Sequence, residues 1–291
     1  MRAFLTSFKK RGFYTLCVLL AVLLSGSFAA AQSSDKNNLP LLFDARERLA
    51  LTDLSTVPRV RFLTTVDFPP FNFADQTGRL AGFHVDLARE ICAELKIEAK
   101  CQIQAMPFAD LQPALLANTG DAVIAGIAVS ADLRRQFAFS RPFLALPARF
   151  VRNLKTLPGN GNAASLAGLP VGVVGGTAHE AMLKAFFPGI KATVFDGDTA
   201  MLDALKSGAV AAVFSDGLRL SFWASSAASQ SCCALFDGPY LSEHFLGEGM
   251  TIMARKSDVA LTQAFDHALA ALSRNGRLQE IYLRYFPYGL Y

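Results

Sequence analysis

The chain has 291 residues, 52% of them hydrophobic, with 28 Lys and Arg against 24 Asp and Glu. Four basic residues, Arg2, Lys9, Lys10 and Arg11, precede an apolar run from Leu16 to Leu24, and without them the two signs balance at 24 each. A neutral chain of this size has room for more than one core and offers no electrostatic reason to seek nucleic acid or an anionic membrane surface as partner.

The basic residues, the apolar run and Ala29-Ala30-Ala31 read as a secretory signal peptide cleaved after Ala31. The run is too short to span a bilayer, so the expected product is exported to the periplasm. Residues 32–58 form an N-terminal extension. Its start, Gln32 to Asn38, is polar and predicted to lack order, and Leu41 to Leu51 is predicted as a short amphipathic helix.

Val60 to Val66 alternates as a strand and runs into Phe68-Pro69-Pro70-Phe71-Asn72-Phe73. Two prolines cannot continue a central strand, so this cluster is predicted as a loop past the strand's carboxyl end, where ligands bind in open α/β sheets. Phe68 is read as one wall of a binding cleft, and Phe71 and Phe73 as ordinary core. Further on, the pattern predicts helix 83–95, strand 99–105, helix 108–117, strand 121–125, a short helix 130–135 and a buried strand 145–152.

After a Pro- and Gly-containing break at 153–164 a second series begins: strand 170–174, helix 178–187, strand 191–195, helix 198–206, strand 210–214 and helix 217–226. A strand from Gly249 to Arg255 and helices 258–274 and 276–285 complete the chain. The alternation predicts an α/β protein with parallel pairing and helices on both faces of its sheets. Thr119-Gly120-Asp121-Ala122-Val123 and Ser207-Gly208-Ala209-Val210 each follow an amphipathic helix, so the two series repeat one plan and predict two lobes facing across a cleft.

Export permits disulfides. Cys92, late in one helix, and Cys101, in the next strand, are read as a bridge; adjacent Cys232 and Cys233 fit either a bridge or two thiols. No Cys or His pair has zinc-ligand spacing, and no cofactor is implied.

From Val60 onward the chain resembles the family 3 extracytoplasmic solute-binding proteins, the polar amino-acid receptors of ABC importers. The matching pieces are the Phe-Pro-Pro-Phe cluster, Gly82-Phe83-His84-Val85-Asp86-Leu87, Asp121-Ala122-Val123-Ile124-Ala125-Gly126-Ile127 with Phe137-Ala138-Phe139-Ser140, Gly175-Gly176-Thr177, and Asn275-Gly276-Arg277-Leu278-Gln279-Glu280-Ile281-Tyr282. The resemblance implies a type II periplasmic-binding fold, with lobe 1 from 59–145 and 248–291, lobe 2 from 146–247, and a hinge of two crossing strands.

It also implies a ligand side chain stacked between Phe68 and Phe108, and a ligand amino group held by Asp216. The ligand carboxylate would meet the turn at Gly126 and Ala128, an arginine, and backbone N–H groups at Gly176, Thr177 and Ala178. This is sound chemistry, since a carboxylate suits an arginine fork and a helix N-terminus. Three positions depart from the pattern. Leu133 stands where the arginine is expected, with Arg134 one place along; Ala128 replaces a threonine; and Thr65 replaces an acidic residue. His179, beside the anion-binding helix start, reads equally as ligand contact or surface residue; Asp216 reads as ligand contact or helix cap. His84 reads as structural, and Arg219 as a solvated charge.

No nucleophile–base pair, metal motif or phosphate loop stands out. The reading is therefore a binder rather than an enzyme: a small polar solute, an amino acid or related carboxylate, captured by a monomer and delivered to an inner-membrane ABC permease. The alternatives are a prephenate-type dehydratase on the same fold, which needs a cleft acid where Gly217, Leu218 and Arg219 stand, and a sensing subunit for a membrane receptor.

Overall fold

A computed structural model of the protein describes residues 39–291 other than 41 and 45. The expected signal peptide and the polar start of the expected extension lie outside the described residues.

Among the described residues there are two five-stranded sheets and one small three-stranded sheet. Strands β1 (Val60–Thr64), β5 (Cys101–Ala105) and β6 (Ala122–Val123) are mutually parallel. The first sheet has the order β5-β1-β6-β13-β7, and β7 (Phe137–Phe139) and β13 (Met253–Arg255) complete it. β13 runs antiparallel to both its neighbours. The second sheet, β10-β9-β11-β8-β12, contains parallel β9 (Pro170–Val174), β10 (Lys191–Phe195) and β11 (Ala212–Asp216). β8 (Ala148–Asn153) runs against β11, and β12 (Cys233–Tyr240) against β8.

The parallel pairing expected from the alternation holds for the strands linked by helices. It fails at β8 and β13, which each run against both their neighbours because each follows a crossing from the other sheet rather than a crossover helix on its own. The third sheet was not foreseen either. Phe68 lies in β2 (Asp67–Phe68) and Asn72 in β3 (Asn72–Ala74), directly paired, with β4 (Leu80–Ala81) beside β3. The prolines thus form the turn of a hairpin rather than an open loop, which keeps them out of any ladder position that needs their N–H.

Strand pleating distributes the core. Along β1, Phe62 faces one cluster and Leu63 the other; along β8, Phe150 and Val151 divide in the same way. Helices α1 (Phe83–Glu94), α8 (Val259–Arg274) and α9 (Arg277–Tyr285) cover the first face of lobe 1, and α2 (Leu111–Leu116) covers the second; α3 (Ala131–Gln136) leads into β7. In lobe 2, α4 (Ala178–Phe186) lies on one face, and α5 (Asp198–Ser207) and α6 (Gly217–Ser225) on the other.

The chain passes from the first sheet to the second after β7 and returns after β12 and the short α7 (Glu243–Leu246). The two crossing segments pair with each other. Phe143 N–H donates to the Met250 carbonyl at 2.9 Å, and Met250 N–H to the Leu144 carbonyl at 2.7 Å. Ser140 Oγ accepts the Ile252 N–H at 2.9 Å, so the pairing runs on towards β13.

The helix expected at 41–51 does not form: its described residues are non-helical. Asp44 and Asp53 bind backbone N–H groups two residues ahead at 2.8 Å, a local alternative to the helical ladder. The segment instead packs on lobe 1 through buried Phe43, a Glu47–Arg141 ion pair and a bond between His267 Nδ1 and the Leu49 carbonyl at 2.8 Å. Both cysteine pairs are bridged, Cys92 to Cys101 across a Cα separation of 6.3 Å and Cys232 to Cys233.

One buried network fixes the small sheet on lobe 1. Asn72 Nδ2 donates to Thr65 Oγ1 at 2.6 Å, which leaves its Oδ1 to accept from His84 Nδ1 at 2.8 Å. Nδ1 therefore carries the ring proton, and Nε2 lies 3.4 Å from Met250 Sδ in the second crossing segment. Burial holds the His84 pKa down to about 3.

Two outcomes follow. An unfolded histidine titrates near 6.5. Between that pH and about 3 the unfolded chain binds a proton that folded His84 refuses, so this group makes stability fall as pH is lowered through the window. NMR should show His84 neutral at pH 5, and His84→Gln should flatten the dependence of the denaturation midpoint on pH between 6.5 and 5; a His84 resonance titrating near 6.5 would contradict the burial. Replacing Cys92 and Cys101 by serine reopens a loop spanning a separation of 9 and should cost roughly 2–3 kcal/mol in chemical denaturation.

Candidate functional site

The parallel strands of each sheet end on the residues picked out by sequence. Beyond β1 stands Phe68, beyond β6 Gly126 and Ala128, beyond β9 Gly176 and Thr177, and at the tip of β11 Asp216.

Phe68 and Gly126 are brought together. Gly126 has φ +72°, and a Cβ there would lie 2.8 Å from Phe68 Cε1, so only glycine leaves room for the ring. Phe68 is part-exposed and stacks on buried Phe71 at 4.8 Å, which stacks on His84 at 5.0 Å. Phe71 is core as expected, whereas Phe73 is only half-buried. The cleft-wall ring thus rests on a column anchored by the Asn72–His84 network. Phe108, just before α2, is 52% exposed, and its ring is not among those stacked on Phe68. Ala128 is exposed.

Arg134 is engaged inside the protein. Its Nε lies 3.2 Å from Glu248 Oε1, its Nη2 pairs with Oε2, and its guanidinium stands 5.5 Å over the Phe139 ring. Glu248 belongs to the segment returning from lobe 2, 114 residues away, and no local signal in the sequence announces it.

At the start of α4 a capping box forms. Thr177 Oγ1 accepts the Glu180 N–H at 3.2 Å, and Glu180 Oε2 accepts the Gly176 N–H at 2.8 Å. The Gly176 donor is therefore occupied by the chain's own carboxylate, which in turn pairs with Lys184. The N–H groups of Ala178 and His179 have no intrahelical acceptor at this position. The box was legible as Thr-x-x-Glu at 177–180.

Asp216 caps α6, with Oδ1 accepting the Arg219 N–H at 2.8 Å; Oδ2 has no hydrogen-bond partner among the described residues. Arg219 pairs with Asp198. His179 meets the edge of Phe214 at 6.4 Å; burial pushes its pKa down, opposed by the charge of Asp216. His179, Asp216 and Arg219 thus share one corner of lobe 2, His179 from the first turn of α4 and the other two from the cap and first turn of α6.

Grooves of about 510 and 340 Å³ lie elsewhere, beside Arg277 and beside the Cys92–Cys101 bridge, and none of these strand-end residues lines either of them. Among the described residues no group of His, Cys, Asp and Glu is arranged to hold a metal ion.

Known proteins are similar to this chain in sequence and in fold. The L-arginine-binding protein of Pseudomonas aeruginosa is 29% identical over 248 residues, covering 84% of this chain and 93% of that one. In fold, the chain is similar to the second substrate-binding domain of GlnP from Lactococcus lactis in its open conformation, with a TM-score of 0.66, 20% identity and coverage of 81% and 98%. It is similar also to an ancestral cyclohexadienyl dehydratase, with a TM-score of 0.63, 18% identity and coverage of 82% and 98%. The sequence model of the bacterial extracellular solute-binding proteins, family 3, matches residues 60–288. With most of its length accounted for in this way, the chain belongs to the bacterial extracellular solute-binding proteins, family 3.

Proposed function

We propose that the protein is the periplasmic receptor of an ABC importer, capturing an amino acid between its lobes as a monomer and delivering it to the inner-membrane permease. Lobe 1 is taken as 59–145 with 248–291 and lobe 2 as 146–247, moving about the paired crossing segments. The observation that carries the reading is the pairing of a part-exposed aromatic wall, Phe68 on Gly126, with an acid, Asp216, that keeps one oxygen without a hydrogen-bond partner among the described residues at the edge of the other lobe.

Charge narrows the ligand. Arg134 pairs with Glu248, Arg219 with Asp198 and Glu180 with Lys184, whereas Asp216 and, beside Phe68, Asp67 have no ion-pair partner among the described residues. An ammonium or guanidinium group suits the Asp216 carboxylate and the face of Phe68. The N–H groups of Ala178 and His179 are the donors left for the ligand's own carboxylate. The arginine specificity in the name of the Pseudomonas relative points the same way. With Gly217, Leu218 and Arg219 following Asp216, the site lacks the second acid a dehydratase would use on a leaving hydroxyl.

A thermal-shift panel of L-arginine, L-lysine, L-histidine and neutral and acidic amino acids tests this. A basic amino acid at 100 times its dissociation constant should add about 2.7 kcal/mol to stability and be recovered chemically unchanged. Stabilisation by none of the panel, or conversion of prephenate to phenylpyruvate, would overturn the reading. Phe68→Ala and Asp216→Ala should each weaken calorimetric binding by at least about tenfold, roughly 1.4 kcal/mol, without loss of fold. Gly126→Ala should weaken it too, because its Cβ displaces the Phe68 ring. Normal binding by all three variants would move the site elsewhere.

A further inference from the structure

We infer that the last residues of the chain, Tyr288 to Tyr291, clasp the two lobes together beside the crossing segments and set their resting arrangement. The clasp goes beyond the ligand reading and does not depend on which solute binds.

The clasp has a foot on each side. On lobe 1, Leu290 is 1% exposed within the main core cluster, and its N–H donates to Tyr282 Oη at 2.7 Å. On lobe 2, the Tyr288 ring meets Phe222 of α6 edge-on at 6.1 Å, and Ser221 Oγ lies 3.2 Å from the Gly289 carbonyl. That hydroxyl is also 2.7 Å from the Gly217 carbonyl and has one hydrogen, so it shares the tail contact with its own helix. Tyr291 Oη donates to the Ala145 carbonyl in the first crossing segment.

Arg149, at the start of β8, lies in the same seam. Its Nη1 reaches the Leu290 carbonyl at 3.4 Å, and its Nε is buried with no partner among the described residues. No acid among the described residues is within ion-pair distance of it, so moving the tail would strip its one bond from a desolvated cation. Two paired strands alone allow rotation about their axis; a third connection off that axis resists it.

The test uses spin-label distances in ligand-free full-length protein carrying Cys17→Ser, which removes the one cysteine outside the described residues. All four described cysteines are bridged, so cysteines introduced at Leu116 on lobe 1 and Val194 on lobe 2, 60% and 51% exposed, label specifically. Against this background two variants are compared with the parent: Ser221→Ala with Phe222→Ala, which removes the lobe 2 foot and leaves lobe 1 whole, and deletion of residues 289–291. The expected result is a broadened interlobe distribution with a shifted maximum in the first variant, repeated in the deletion if it folds by circular dichroism. A parent-like distribution in the folded Ser221→Ala, Phe222→Ala protein would overturn the proposal. Because no ligand is added, that failure would leave the amino-acid reading untouched, and failure of the amino-acid panel would leave the clasp untouched.

Discussion

The structure depends on one feature of chain routing, the insertion of β13 between β6 and β7. The first sheet cannot close until the chain has built the second sheet and come back. Two crossings are therefore obligatory, and because they lie side by side they hydrogen-bond into a ribbon at Phe143, Leu144 and Met250. Each lobe keeps its own main core, and the ribbon, the C-terminal tail and the contact of Leu218 of α6 with the lobe 1 core relate the two. Low-cost rotation about such a ribbon is what a receptor that shuts on a solute needs.

The same routing places chemistry. Parallel strands ending at Thr64, Val123, Val174 and Asp216 leave their following loops at sheet ends, where backbone donors and acceptors are unspent. Lobe 1 puts an apolar ring there, and lobe 2 a carboxylate and a helix start. Around them the protein pairs Arg134, Arg219 and Lys184 with its own acids, which leaves Asp67 and Asp216 without an ion-pair partner among the described residues. The stacked column of Phe68, Phe71 and His84 gives the ring a rigid base, since His84 is neutral at neutral pH and its hydrogen bond to Asn72 offsets the cost of burying the ring.

Much of this was legible in the sequence where the determinants are local. The second α/β series reads cleanly because Val171 and Val173 alternate and the α4 and α5 periods are unbroken. Phe68 and Asp216 could be named from motif and position. What depends on distant pairing could not: the antiparallel sense of β8 and β13 and the three-residue β7 are decided by partners elsewhere in the chain, while the hairpin around Pro69 and Pro70 is a local pairing that the two prolines masked. β12 was hidden by Asp237-Gly238-Pro239, which reads as a turn but forms an irregularity within the strand. In the extension, apolar spacing suggested a helix while two aspartates enforced turns. Likewise the pairing of Arg134 with Glu248 is a tertiary choice that spacing alone leaves open.

The central claim is that the lobes close on a bound solute. Small-angle X-ray scattering with and without a saturating amino acid tests it most directly. The account predicts a smaller radius of gyration with ligand, and the same protein carrying Asp216→Ala unchanged at that concentration. Saturation of the protein, verified by calorimetry, with no contraction would contradict it.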